Sequence, residues 1–145
     1  MNHFKLFAHG EEFDVDAFLA VTPLTIDRTW RRGDLRGHPE FIQDRHPTSG
    51  VEICLGPGRT LSDGEQDRIA AAFLEVNEDA LKALAQFPGV TIFILGLHHY
   101  VELMPNVVGF CMSPSARLMY FALRVGLTPT FYVDLDRKDF DDEVS

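Results

Sequence analysis

Apolar and polar residues alternate at the start of the chain and again near position 50. Phe4, Leu6 and Ala8 recur every second residue against Lys5 and Phe7, the period of a strand with one buried face. Asp14 or Asp16 then caps a brief helix that runs to about Val21 and ends at Pro23. Residues 26–32 read as extended, closed by the Gly33-Asp34 turn signal. Residues 35–50 contain His-Pro twice, with Gly37 and Gly50, and form the main irregular segment. Val51, Ile53 and Leu55 alternate with Glu52 and Cys54, a half-buried strand stopped by Gly56-Pro57-Gly58.

The period then changes. Ser62 and Glu65 form an S-x-x-E capping box. Ile69, Phe73, Val76, Ala80, Leu84 and Phe87 follow at spacings of three and four, so one helical face is apolar. Asn77 is a point where this helix kinks or restarts, because its side chain competes for backbone partners. Pro88-Gly89 stops it, and the continuous apolar run of residues 90–95 predicts a central strand with His98, His99 and Tyr100 beyond its end. Residues 107–137 read as strand, capped helix and strand. Ser113 is the expected N-cap, Pro114 the first helical residue and Gly126 the left-handed residue after the last turn. The expected core holds Phe73, Val76, Leu84, Ile92, Ile94, Leu118, Phe121 and Leu123. The order β-α-β-β-α-β-β-α-β implies an α+β two-layer sandwich, with helices packed on one face of a largely antiparallel sheet. One domain is expected over residues 1–136, with an acidic tail at 137–145.

Composition narrows the functional classes. The chain has 145 residues, 46% of them apolar, enough for one core. Its net charge of −9 argues against nucleic acid and anionic membrane as partners. Cys54 and Cys111 lie far apart among apolar residues and read as buried free thiols. No signal-like segment or membrane-length apolar run is visible, so a cytoplasmic location is the expectation.

Candidate chemistry concentrates in one segment. Arg28, Arg31, Arg32, Arg36 and Arg45 are five of the thirteen basic residues, and Trp30 lies among them. Arginines beside an aromatic ring can clamp a phosphate, a carboxylate or a partner's acidic loop. In an extended segment Arg28, Trp30 and Arg32 would share one face and Arg31 the other, with Asp34 in the turn that follows. The plain alternative is that these arginines make exposed ion pairs of little energy. Near the C-terminus Asp134 and Asp136 share a strand face and could meet a cation or a basic partner. His98, His99, His38 and His46 supply imidazoles, but adjacent histidines on a strand diverge and no ligand pair has metal-binding spacing. No metal and no cofactor are therefore expected. Cys111, Ser113 and Ser115 lack a nucleophile-elbow context, and Gly56-Pro57-Gly58-Arg59-Thr60 lacks phosphate-loop spacing.

The stretch FDVDAFLAVTPLTIDRTWRRGD resembles the opening of a bacterial family of domains of unknown function, family 4279. Trp30, Arg31, Arg32, Gly33 and Asp34 stand where that family has an aromatic residue before a basic-Gly-acidic turn. Gly109, Phe110, Ser113, Leu123, Gly126, Leu127 and Asp134 resemble its closing helix and strand. The resemblance carries no activity; by analogy with small acidic bacterial domains it implies a toxin-neutralising immunity protein. The leading expectation is a non-enzymatic protein-binding domain whose partner is a toxin or effector. The alternative is a small enzyme or ligand-binding domain that uses the 28–45 segment with His98 or His99. A concave pocket joining those two regions would favour the alternative, and a flat surface would disfavour it. A homo-oligomer formed through sheet edges is a third option.

Overall fold

A computed structural model describes residues 2–36, 44–56, 62–101 and 113–135, with the backbone alone for 2, 99–101 and 133–135. The elements run β1 (Asn2–Gly10), α1 (Val15–Val21), β2 (Arg28–Trp30), β3 (Ser49–Cys54), α2 (Asp63–Val76), α3 (Glu78–Ala85), β4 (Ile92–Val101), α4 (Ala116–Arg124) and β5 (Thr128–Leu135). They form the expected α+β fold around a five-stranded sheet of order β2-β3-β1-β4-β5. All neighbouring pairs are antiparallel except β4 and β5, which run parallel at one edge. A parallel pair needs a crossover, and α4 lies on that connection.

Register fixes what each face carries. Leu6 of β1 lies opposite Ile53 of β3 and Leu95 of β4, and Ala8 opposite Val51 and Phe93. All six are buried. Against this face pack Ala70, Ala71 and Leu74 of α2, Leu81 and Leu84 of α3, Leu118 and Ala122 of α4, and Val15 and Phe18 of α1. Phe13, Phe18 and Phe87 close one end, with Phe87 edge-on to the other two rings.

The helix starts are set by side chains. Asp14 caps α1 by accepting from Ala17 N at 3.0 Å. The Ser62–Glu65 capping box is complete. Asn77 ends α2 and opens α3, and its Nδ2 donates to Phe73 O at 2.9 Å, so the single periodic run becomes two helices. α4 starts later than expected. Its N-cap is Ser115, not Ser113, and Ser115 Oγ accepts from Leu118 N at 3.0 Å. The backbone N and hydroxyl of Ser115 also donate to Asp67 of α2, a tertiary anchor that spacing along the chain could not reveal. Gly126 has φ +90°, as expected of the residue after the last helical turn.

The core forecast needs correction at four positions, Val76, Ile92, Ile94 and Leu123. Leu84 and Leu118 are fully buried, but Val76 is 82% exposed, Leu123 64% and Ile92 39%. α2 meets the core along Gln66, Ala70, Ala71 and Leu74, a stripe that leaves Val76 outside it, and Ile92 and Ile94 sit on the sheet's other face. Phe73 and Phe121 are partly buried against the core. Val76→Ala should therefore change stability by no more than about 0.5 kcal/mol; a urea midpoint shifted by more would place Val76 in contact with the core. The expected strand before α4, Cys111 within it and the 137–145 tail fall outside the described residues.

Candidate functional site

Among the described residues no helix packs on the sheet's second face. Lys5, Phe7 and His9 of β1 point there, and register places Glu52 and Ile94 beside Phe7 and Gly50 and Ile92 beside His9. β2 adds Arg28 opposite Glu52 and Trp30 opposite Gly50. At the other edge His98 lies opposite Tyr132.

The segment after β2 folds back over one side of this face. Gly33 N donates to His46 O at 2.8 Å, His46 N to Asp34 O at 2.8 Å, and Arg36 N to Asp44 O at 3.0 Å. The Arg45 guanidinium donates to Gly33 O at 2.7 Å. This two-stranded flap holds His46, Pro47 and Thr48 above the sheet. The result is a concavity of about 340 Å³, within the range of small-molecule sites. Phe7, His9 and Ile94 form its floor. Trp30, Arg28, Arg36 and His46 form one wall, and His98 with Tyr132 the other.

The walls are aromatic and locked by stacking. Trp30 stacks on His46 with ring centres 5.7 Å apart and 27° between planes. His98 stacks on Tyr132 at 4.6 Å and 13°. The Arg28 guanidinium carbon lies 5.4 Å from the Trp30 ring centre, within cation–π range. Two glycines make the room. A Cβ on Gly50 would lie 2.6 Å from Trp30 Cε2, and one on Gly96 would lie 3.0 Å from both His98 Nε2 and Phe7 Cε2.

Charge is arranged in depth. The Glu52 side chain is 8% exposed and pairs with Lys5 Nζ at 3.3 Å and Arg28 NH2 at 3.1 Å. The Arg28 side chain is 62% exposed. A buried carboxylate is tolerable because two cations neutralise it. The cation therefore faces the cavity and the anion lies behind it. Arg36 Nε pairs with Asp44 at 3.7 Å. No carboxylate lines this cavity among the described residues. A neighbouring depression, which shares His9 and Thr48, carries Glu11 and Glu12 instead. Burial pushes the Cys54 thiol up, with Asp27 and Glu52 adding to the effect, so it is a poor nucleophile.

His9 sits between the two depressions, and its Nδ1 lies 3.2 Å from Thr48 Oγ1. Burial lowers its pKa from 6.5, since desolvation disfavours the imidazolium. A depressed histidine makes the unfolded chain bind its proton first. The stability it contributes is full above pH 6.5 and is lost as pH falls below that value toward the folded pKa. His9→Gln should accordingly flatten the fall in melting temperature between pH 7 and about pH 5; an unchanged pH profile would remove His9 from this role.

The expected site residues separate. Arg28 and Trp30 lie in the cavity. Arg31 binds Asp16 of α1 through Nε and NH2, at 3.3 and 2.6 Å, and this contact holds the Asp16 carboxyl below its usual range. Both groups are exposed, so the pair adds little to stability. Arg32 lies beyond β2 and pairs with Glu12 at 3.7 Å, so it does not share a face with Arg28 and Trp30. Asp34 closes the turn by accepting from Arg31 N at 3.0 Å. Asp134 lies opposite Tyr100 on β5; its side chain, and Asp136 altogether, are outside the described residues. His98 joins the arginine segment in one cavity, and the His99 side chain is likewise outside the description. Phe7, His9, Thr48, Ile94 and Tyr132 were missed. The available signal was Phe7, an aromatic residue on the nominally polar face of β1.

Among the described residues no three of His, Cys, Asp and Glu are placed to hold a metal ion. No described helix is long and apolar enough to cross a membrane. No family model, curated protein or solved structure matches the chain.

Proposed function

We propose that this is a ligand-binding domain whose small-molecule site is the concavity on the open sheet face. The observation that carries the reading is that Arg28, Trp30, Arg36 and His46 meet His98 around one cavity of about 340 Å³. A concave, largely apolar site with a few converging polar groups is the usual form of a small-molecule pocket. Membership of the bacterial family of unknown function 4279 and a cytoplasmic location belong to the same proposal. The test is a fragment screen by amide and indole NMR. Hits should move His9, Trp30, Thr48, Ile94 and His98 together. A diverse library that yields no hit, or hits only elsewhere, would sink the reading.

The toxin-neutralising immunity protein stands as the second reading. Its support is a set of exposed apolar side chains, Val76, Tyr120 and Leu123. They flank the Arg124–Glu78 pair, where Arg124 also donates to Tyr120 Oη at 3.2 Å. Pull-down from the native host tests it, and recovery of no stoichiometric protein would count against it.

A further inference from the structure

Resting on the ligand-binding reading, we infer that the ligand is a flat aromatic molecule bearing a single carboxylate. The ring would lie between Trp30 and Phe7, with the carboxylate turned toward Arg28 and Arg36.

Three observations carry this. The first is the shape of the walls. Trp30 with His46 and His98 with Tyr132 are stacked pairs on opposite sides, and Phe7 and Ile94 lie below. Flat π surfaces held rigid by their neighbours favour a flat guest, and offset or edge contacts add to its area burial. The second is the placement of charge. Arg28 presents an exposed guanidinium over a buried Glu52, and the cavity lining holds arginines without a carboxylate. A guanidinium fork matches a carboxylate in geometry and charge. The third is the limited surplus. Arg28 and Arg36 each already have an acidic partner, at 3.1 and 3.7 Å. That suits one negative charge better than a dianion or a polyphosphate, whose charge would remain poorly matched in a half-buried site. The cavity volume sets a matching limit, room for roughly one or two rings rather than a dinucleotide.

The probes are 2-naphthoate, its neutral isostere 2-naphthamide, cyclohexanecarboxylate and inorganic phosphate. Affinity is read by calorimetry, and location by the indole N–H signal of Trp30, the only tryptophan in the chain. Naphthoate should move that signal and bind at least about tenfold more tightly than the amide, and also than the saturated acid and phosphate. The double change Arg28→Gln, Glu52→Gln removes the fork without stranding a buried carboxylate. It should reduce the preference for acid over amide, with Arg36 still in place, while leaving amide binding unchanged. Arg36→Gln, at an exposed position, is the second arm and should cut naphthoate binding even if the double variant fails to fold. Equal binding of acid and amide at Trp30 would overturn the carboxylate assignment and leave the ligand-binding reading intact. Phosphate or the saturated acid binding as tightly as naphthoate would overturn the aromatic one. If no probe and no library fragment moves Trp30, both readings fall together.

Discussion

Gly10→Ala should cost about 3 kcal/mol or more, the largest stability loss we expect from a single added methyl group. The added carbon would run into the carbonyl oxygen of Gly89 and come within 3.2 Å of Thr91 N. Both obstacles are backbone, so no side chain can swing aside. Retreat is also blocked on the other side. Gly89 has φ +90°, and a Cβ there would strike the Glu12 carbonyl. Thr91 N is meanwhile tied to His9 O at 3.0 Å. The end of β1, the turn after α3 and the start of β4 form one close-packed junction of main chains. Urea unfolding measures the effect. A loss below about 1 kcal/mol would mean that this junction can open without disturbing the sheet.

Gly50→Ala should disable the site while leaving the fold in place. The new methyl would lie 2.6 Å from Trp30 Cε2 and 2.7 Å from His9 Cβ. The indole must then lift off the sheet and carry the stacked His46 with it, since overpacking is relieved by moving the nearest mobile group. We expect a stability loss of about 1–3 kcal/mol, a red-shifted emission from the one tryptophan, and at least about a tenfold loss of 2-naphthoate affinity. Unchanged emission with unchanged binding would show that the Trp30 wall is not part of the site.

The sheet and helices were legible because their periods are simple. Phe4, Leu6 and Ala8 announced β1, and the Ser62–Glu65 box announced α2, through chemistry confined to a few adjacent residues. Ser115 was passed over for Ser113 because the decisive partner, Asp67, lies on another helix. Val76 was misplaced because the buried stripe of α2 runs through Gln66, Ala70, Ala71 and Leu74, which leaves Ile69 and Val76 exposed. The site was half legible. Arg28 and Trp30 drew attention as an arginine-aromatic cluster, and His98 was named with them. Arg31 and Arg32 looked equivalent in sequence, yet Asp16 of α1 engages the first and Glu12, in the turn before α1, the second. His9 and Tyr132 carry no local signature. Their role comes from strand order, which sets β1 and β4 side by side and β5 at the edge.

That strand order has a bearing on how the protein is made. β1 leaves the ribosome before the other described elements, yet it is a middle strand of the sheet. One neighbour, β3, follows early, but the other spans residues 92–101, with Asn2 pairing to His99. Until β4 has been synthesised, the edge of β1 that β4 covers has no hydrogen-bonding partner. Unpaired edges of this kind invite association between chains. Slow translation before residue 92 would prolong that exposure, and trigger factors or holdases that cover nascent apolar segments should matter more for this protein than for one whose first strand lies at a sheet edge.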